Sequence, residues 1–270
     1  MYVIKRNGTQ EKVNFDKVCK RISYLIAEPY PLTNINDSEL AQNIIKKLSN
    51  NMQTKEIDDY TANLSASYST KHIDYLILAG RIVINNHHKN TLTGFKDKVN
   101  KLNLRKDCHG NSYPLVTNEF YKFVCKNHTK IDKYIDYQRD YELDFFSFRT
   151  LEKGYLLRIG EEIIERPQDL FMRVAIQIFL PESKDYKNPK ILKKIFNAYD
   201  NMSNKYYTHA TPTLFNAGTP KGSLASCFLL STEDSREGII KTLDHCTKIS
   251  KWSGGIGVHV SNIRASKSLD

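Results

Sequence analysis

Apolar residues recur along the first ninety positions with two different periods. Tyr2–Ile4 and Lys12–Val13 read as short strands on either side of Asn7-Gly8, a dipeptide suited to the positive φ angles of a tight hairpin turn. The spacing then changes to three and four. Val18, Ile22 and Leu25 share one face of a helix that Asn14 is placed to cap, because a side-chain oxygen there can accept an orphan N–H of the first turn. Leu40, Ile44, Ile45 and Leu48 predict a second helix from about Asp37, and Thr54 is a candidate cap for a third. Leu76, Leu78, Ile82 and Ile84 carry a fourth from about Asp74. Two strands followed by four helices predict a small α+β domain over residues 1–92.

Residues 93–140 are rich in Lys, Asn and Tyr and only weakly periodic, which reads as a connector or as poorly packed helices. From Phe145 the pattern tightens through FFSFRTLEKGYLLRI and EEIIERPQDLFMRVAIQIF, where Pro167 suits a helix start and Leu170, Val174 and Ile178 share a face. PESKDYKNPK reads as a surface loop, and a further helix is predicted from Ile191 to Met202. SLASCFLLS then suits a buried strand, Gly238 to Ile249 a helix, and SGGIGVHVS a glycine turn entering another strand. Strand, helix, strand at this spacing opens a parallel α/β sheet or barrel. The expected organisation is a mainly helical domain over 93–210 and an incomplete α/β domain over 211–270.

Composition narrows the class. The chain has 270 residues, 40% of them hydrophobic and 26% charged, which is ample for a buried core. No uncharged apolar run approaches the ~20 residues of a membrane span, and MYVIKRNG has no apolar signal region. The net charge of +10 fits a polyanionic partner. No stripe of Lys and Arg alternates with aromatics, so the excess reads as a solvated, Lys-rich composition rather than a nucleic-acid surface. Cys19, Cys108, Cys125, Cys227 and Cys246 are odd in number, widely spaced and without a CxxC pair. That argues against structural zinc and against a secreted disulfide framework. The expectation is a soluble protein of the reducing cytoplasm.

Chemistry is concentrated in three places. Between Lys5 and Arg21, six basic residues face two acidic ones around the predicted turn; cations beside a hairpin and a helix N-terminus favour phosphates. MYVIKRNGTQEKVNFDK, with TKEIDD and STKHIDYLILAGRIVINNHHK, resembles the ATP-cone, the nucleotide-binding regulatory domain in front of many ribonucleotide reductases. The resemblance implies that Lys5, Arg6 and Lys89 hold phosphates. It implies that Glu11, Lys12, Val13, Asn14, Phe15, Asp16 and Lys17 line an ATP or dATP effector, and that Thr54 and Asp58 meet its base and sugar. Without the resemblance, Asp58 reads as a carboxylate favoured by a helix N-terminus.

The second place, THATPTLFNAGTP followed by SLASCFLL, is similar to the ribonucleotide reductase segments whose hydroxyls and backbone N–H groups hold the substrate diphosphate. The resemblance implies Thr211 and Ser226 as substrate-binding residues, Thr211 standing where the family has Ser. It also implies Cys227 as one of two redox thiols, whose partner lies downstream in the family. On its own, a Cys opening an apolar strand is a small buried hydrophobe, and Cys246 in its helix pattern reads as core. In the third place, Asp234, Ser235, Lys251 and Arg264 match positions that grip a deoxynucleoside triphosphate specificity effector, although the loop after SCFLLS is about one residue shorter than the family pattern.

The resemblance extends to about Arg264 and is identified as that of the aerobic, diphosphate-reducing large subunit. It implies reduction of ribonucleoside diphosphates by thiyl-radical chemistry. It implies a small radical-generating subunit carrying the radical metal site, a thioredoxin- or glutaredoxin-type reductant, and a homodimer; no metal, membrane or nucleic acid is expected at this chain. The radical Cys and the second redox thiol of the family are not among these residues, so the chain alone is expected to be inactive. A stand-alone ATP/dATP-sensing module is the other class of reading. A transcription regulator bearing an ATP-cone would need a zinc ribbon, which the absence of CxxC opposes.

Overall fold

The computed structural model describes residues 2–183, 188–220 and 222–268, with only the backbone of Phe15. In chain order the elements are β1 (Tyr2–Ile4), β2 (Gln10–Lys12), α1 (Phe15–Ala27), α2 (Asp37–Lys47), β3 (Met52–Gln53), α3 (Thr54–Ser67) and α4 (Asp74–Asn90). They continue with α5 (Phe95–Asn103), α6 (Asn118–Tyr134), α7 (Phe145–Gly154), β4 (Arg158–Ile159), β5 (Glu162–Ile163) and α8 (Pro167–Phe179). The last are α9 (Pro189–Ser203), α10 (Thr211–Asn216), β6 (Cys227–Ser231), α11 (Arg236–Ser250) and β7 (Gly255–His259). Two compact units divide the chain: Met1–Lys98 with Thr129–Leu170, and Val99–His128 with Phe171–Asp270.

In the first unit β1 is central. It pairs antiparallel with β2, Val3 opposite Glu11, and parallel with β3, Val3 opposite Met52. The third strand is an addition to the predicted pair, and at two residues it is too short to leave a period in the sequence. Asn14 caps α1 by accepting the Lys17 N–H, and Asn36 caps α2 by accepting the Glu39 N–H. Thr54 is not the cap of α3 but its first residue; Gln53 precedes it, with its N–H donating to the Glu56 carboxylate at 3.0 Å. The core gathers Ile22 and Leu25 of α1, Leu40 and Ile44 of α2, Ala62 of α3, and Leu78, Ile82 and Ile84 of α4.

The STKHIDYLILAGR run builds this core rather than a ligand site. Tyr75 OH accepts the Asn36 N–H, and Asp74 accepts the Asn34 N–H. Arg81 is fully buried and donates to the carbonyls of Leu25 and Tyr30, both at 2.8 Å. Gly80 lets α4 approach the turn before α7: a Cβ there would lie 2.5 Å from the Leu143 carbonyl oxygen. Further along the same unit, Lys98, Tyr137, Asp169 and Arg166 form a buried polar cluster beside the His88–Asp140 pair.

The region expected to be a connector or loosely packed is well packed. In the second unit Val99, Leu102, Phe120, Phe123 and Val124 are each at most 3% exposed. Its weak periodicity came from the Lys and Asn residues that cover the outer faces of amphipathic helices. Arg173 is buried and donates to the carbonyls of Ala217 and Leu214, closing the end of α10. Of the predicted loop PESKDYKNPK, residues 184–187 lie outside the described residues.

β6 and β7 pair in parallel, Cys227 opposite Gly255 and Leu230 opposite Val258, with α11 as the crossover. This is the expected βαβ opening, but β6 is not buried. Leu229 is 89% exposed, and Ile239, Ile240 and Leu243 of α11 are exposed as well. Cys246, read as core, is only half-buried, because the face of α11 that carries it is incompletely covered.

Candidate nucleotide site

Three elements surround an apolar cavity in the first unit. The hairpin contributes Val3, Lys5, Glu11 and Lys12, the first turns of α1 contribute Lys17, Val18, Arg21 and Ile22, and α3 contributes Thr54, Ile57, Asp58 and Thr61. Val13 and Asn14 join them at the entry to α1. The inner wall is apolar, completed by Leu25, Leu48 and Ile82. A more open cavity beside it is lined by Lys5, Arg6, Asn7, Glu11, Lys17, Arg21 and Thr54. One end therefore suits an uncharged ring and the other suits anions.

The charges at the mouth are already arranged. Asp58, 2% exposed, accepts from Arg6 Nη2 at 2.9 Å and from Arg21 Nη1. Arg6 also donates to Asn86, and its Nε donates to Asn90 at 3.0 Å. Glu11 lies between Lys17 and Lys5, whose hydrogen bonds hold its carboxyl down at about 2. The Lys89 ammonium is pushed below the usual lysine range by desolvation and by the nearby charge of Arg21. Six cations, Lys5, Arg6, Lys12, Lys17, Arg21 and Lys89, thus surround two carboxylates, an excess that anions would relieve.

Of the sequence candidates here, Lys5, Glu11, Lys12, Val13, Asn14, Lys17, Thr54 and Asp58 line the inner cavity, and Arg6 lines the mouth. Lys89 stands close enough to Arg6, Arg21 and Asp58 to feel their charges. Asp16 points away, exposed in the first turn of α1, and the Phe15 side chain lies outside the described residues. Sequence reasoning did not single out Arg21, Asn86, Asn90, Ile57 or Thr61. Arg21 falls four residues after Lys17 and Thr61 three after Asp58, so helical spacing from known candidates was the available signal.

The other two groups lie in the second unit. Thr211 opens α10, and Thr213 of the same helix donates to the Leu224 carbonyl at 2.9 Å, which ties α10 to the segment leading into β6. Cys227 is exposed at the start of β6, its sulfur 3.6 Å from the Ser226 hydroxyl. Asp234 and Arg264 pair at 2.7 Å, and Ser235 caps α11 by accepting the Gly238 N–H at 3.0 Å. Lys251 is not with them. It follows the C-terminal end of α11, its Nζ 5.4 Å from the centre of the Trp252 ring, in a cleft with Tyr113, Phe215 and Pro220. Among the described residues no three His, Cys, Asp or Glu side chains gather to hold a metal ion, and no helix is long and apolar enough to cross a membrane.

Comparison with known proteins matches three segments of the chain. Residues 1–90 match the ATP cone domain, residues 141–222 the ribonucleotide reductase all-alpha domain, and residues 225–270 the ribonucleotide reductase barrel domain. Across 99% of its length the chain is 44% identical to the ribonucleoside-diphosphate reductase large subunit of Dictyostelium discoideum. It is 42% identical, over the same share, to the large subunits of Plasmodium falciparum (isolate Dd2) and of Variola virus. It spans about a third of the length of these curated relatives, 30%, 32% and 34% respectively. With an ATP cone, the all-alpha domain and the start of the barrel domain in that order, the chain carries the N-terminal domains of the ribonucleotide reductase large subunit.

Proposed function

We propose that the chain is the N-terminal part of the large subunit of a ribonucleoside-diphosphate reductase, and that residues 1–92 regulate it by binding ATP or dATP. Residues 93–210 form the helical domain of that subunit, and residues 211–270 open its catalytic barrel. The observation that carries the regulatory reading is the cavity between the hairpin, α1 and α3, apolar inside and lined at its mouth by Lys5, Arg6, Lys17 and Arg21. A purine ring fits the first environment and a triphosphate the second. Lys5, Arg6 and Lys89 take the phosphates, with Glu11, Lys12, Val13, Asn14 and Lys17 along the nucleotide. Thr54 and Asp58 meet the sugar and base.

The complete enzyme reduces ribonucleoside diphosphates to 2′-deoxyribonucleoside diphosphates for DNA synthesis. It works with a small subunit that carries the radical metal site and with a thioredoxin- or glutaredoxin-type reductant. Thr211 and Ser226 hold the substrate diphosphate. Cys227 is one of the two thiols that deliver electrons, and its exposed position beside Ser226 suits exchange with a second thiol. Asp234, Ser235 and Arg264 serve a deoxynucleotide specificity effector, with Lys251, at the other end of α11, assigned to it by the resemblance alone. A homodimer of the complete subunit is supported by the apolar Ile239, Ile240 and Leu243 left exposed on α11. Exposed Cys227 favours this reading over a stand-alone sensor, which has no use for a thiol there.

The test is thermal unfolding of the chain with ATP, dATP and dTTP, beside Asp58→Asn. A nucleotide at a hundred times its Kd stabilises by ~2.7 kcal/mol. Stabilisation by adenine nucleotides that Asp58→Asn weakens is the expected result; no shift with any of the three defeats the reading.

A further inference from the structure

Two guanidinium groups grip Asp58, and they differ in what they have left to donate. Arg6 directs Nε to Asn90 and Nη2 to both Asn86 and Asp58, so two of its three nitrogens are held by α3 and α4. Arg21 directs Nη1 to Asp58, while its Nη2 is shut off from solvent and has no hydrogen-bond partner among the described residues. The guanidinium is planar and rigid, so Nη2 cannot be turned elsewhere while Nη1 stays on the carboxylate. A charged donor buried without an acceptor is unfavourable, and an arriving oxygen would satisfy it.

The position of Arg21 narrows which oxygen. Among the described residues only Lys5, Glu11, Lys17, Arg21 and Thr54 line both the apolar chamber and the cationic mouth, so they form the neck between the two. Lys5 and Lys17 are both drawn to Glu11 of the hairpin. Arg21 is drawn instead to Asp58 of α3. In a nucleotide lying with its base in the chamber and its charged chain in the mouth, the group at the neck is the phosphate next to the sugar.

We propose that Arg21 is a nucleotide-binding residue that donates from Nη2 to the phosphate nearest the sugar while Nη1 remains on Asp58. Arg6, which the same reading places on phosphates, also ties the hairpin to α4 through Asn86 and Asn90. The proposal rests on the reading of this cavity as an adenine-nucleotide site and adds to it which cation meets which phosphate. It also makes Asp58 the orienting partner of a phosphate ligand, which fixes the guanidinium before the ligand arrives and lowers the ordering cost of binding.

The experiment is competition of adenosine, AMP, ADP and ATP against a fluorescent adenine nucleotide on the full chain, wild type against Arg21→Gln and Arg21→Lys. Loss of one charge-assisted hydrogen bond weakens a ligand by about ten- to a hundredfold. Arg21→Gln is expected to weaken AMP, ADP and ATP by a common factor of that size and to leave adenosine unchanged, with Arg21→Lys intermediate. An equal loss for adenosine, or no loss for AMP, overturns the proposal, since Arg21 would then act only through Asp58 or not at all. Phosphorus NMR of bound ATP gives a second readout: Arg21→Gln should move the resonance of the phosphate next to the sugar, and movement of the terminal one alone also overturns it. If wild type binds neither AMP nor ATP, the reading of the cavity itself fails; if wild type binds both and the variants bind equally well, only the role of Arg21 fails.

Discussion

Lys98 Nζ lies 2.6 Å from Asp169 Oδ2, with 1% and 0% of their side chains exposed. The carboxylate also accepts from the Tyr137 hydroxyl at 2.6 Å and from the Arg166 N–H at 2.6 Å. Burial pushes the Lys98 ammonium below its usual range, with the Asp169 charge opposing that shift. Removing one partner of such a pair strands the other in a medium that solvates it poorly. Lys98→Met is therefore expected to destabilise the first unit by ~3–5 kcal/mol, read as a lower urea midpoint at unchanged slope. A change below 1 kcal/mol would mean that water reaches Asp169 in solution.

Gly80 is required by contact rather than by backbone conformation. An added Cβ would lie 2.5 Å from the Leu143 carbonyl oxygen and 2.8 Å from the Asp144 carbonyl carbon. Backbone cannot rotate away as a side-chain tip can, so α4 must shift. Gly80→Ala should cost about 2–3 kcal/mol, despite the gain in helix propensity. Unchanged thermal stability would show that the approach of α4 to this turn is looser in solution.

Glu11 links stability to pH. Its carboxyl is lowered from 4.5 to about 2 in the folded chain, first by the Lys17 hydrogen bond and then by the Lys5 one. A depressed pKa means the unfolded chain binds the proton more readily, so this contribution is complete above about pH 4.5 and disappears as pH falls towards 2. Glu11→Gln should flatten the stability profile within that window and leave it unchanged at pH 7 to 8 apart from a constant offset. The side chain is a quarter exposed and its lysine partners more so, so the effect is expected to shrink in high salt. Urea midpoints collected across the window, with and without salt, check both parts.

The two ends of the chain should differ in resistance to protease. The hairpin and its four helices close a core in which Leu40, Ala41, Ile44, Ala62 and Leu78 are fully buried. The β6–α11–β7 unit is a two-stranded parallel sheet, with Leu229 89%, Leu243 60% and Val260 61% exposed. Parallel pairs gain stability from cover on both faces. Limited proteolysis followed by mass spectrometry should cut within residues 211–268 before it cuts within 1–90, and equal resistance would contradict this.

Much of the fold was legible because it depends on local spacing. Asn14 and Asn36 precede runs of apolar residues three and four apart, and both cap helices where those runs begin. The βαβ order near the end follows from two short apolar runs around a longer helical pattern. β3 was not legible, since two residues held by pairing with β1 carry no period of their own. Nor was the packing of α5 and α6, where lysines on the outer faces diluted the apolar signal.

At the candidate site, the inventory could be read along the chain: the cations of the hairpin and α1, the carboxylate Asp58 on α3, and the thiol Cys227 at a strand start. How they are shared depends on the folded arrangement. Arg6 and Arg21 lie fifteen positions apart yet meet on one carboxylate, and Asn86 and Asn90 reach Arg6 from the far end of α4. Lys251 is kept from Asp234 by the length of α11. Helix periodicity records which residues share a face of one element, but the pairing of charges across elements depends on how those elements pack, and long-range packing leaves no period in the chain.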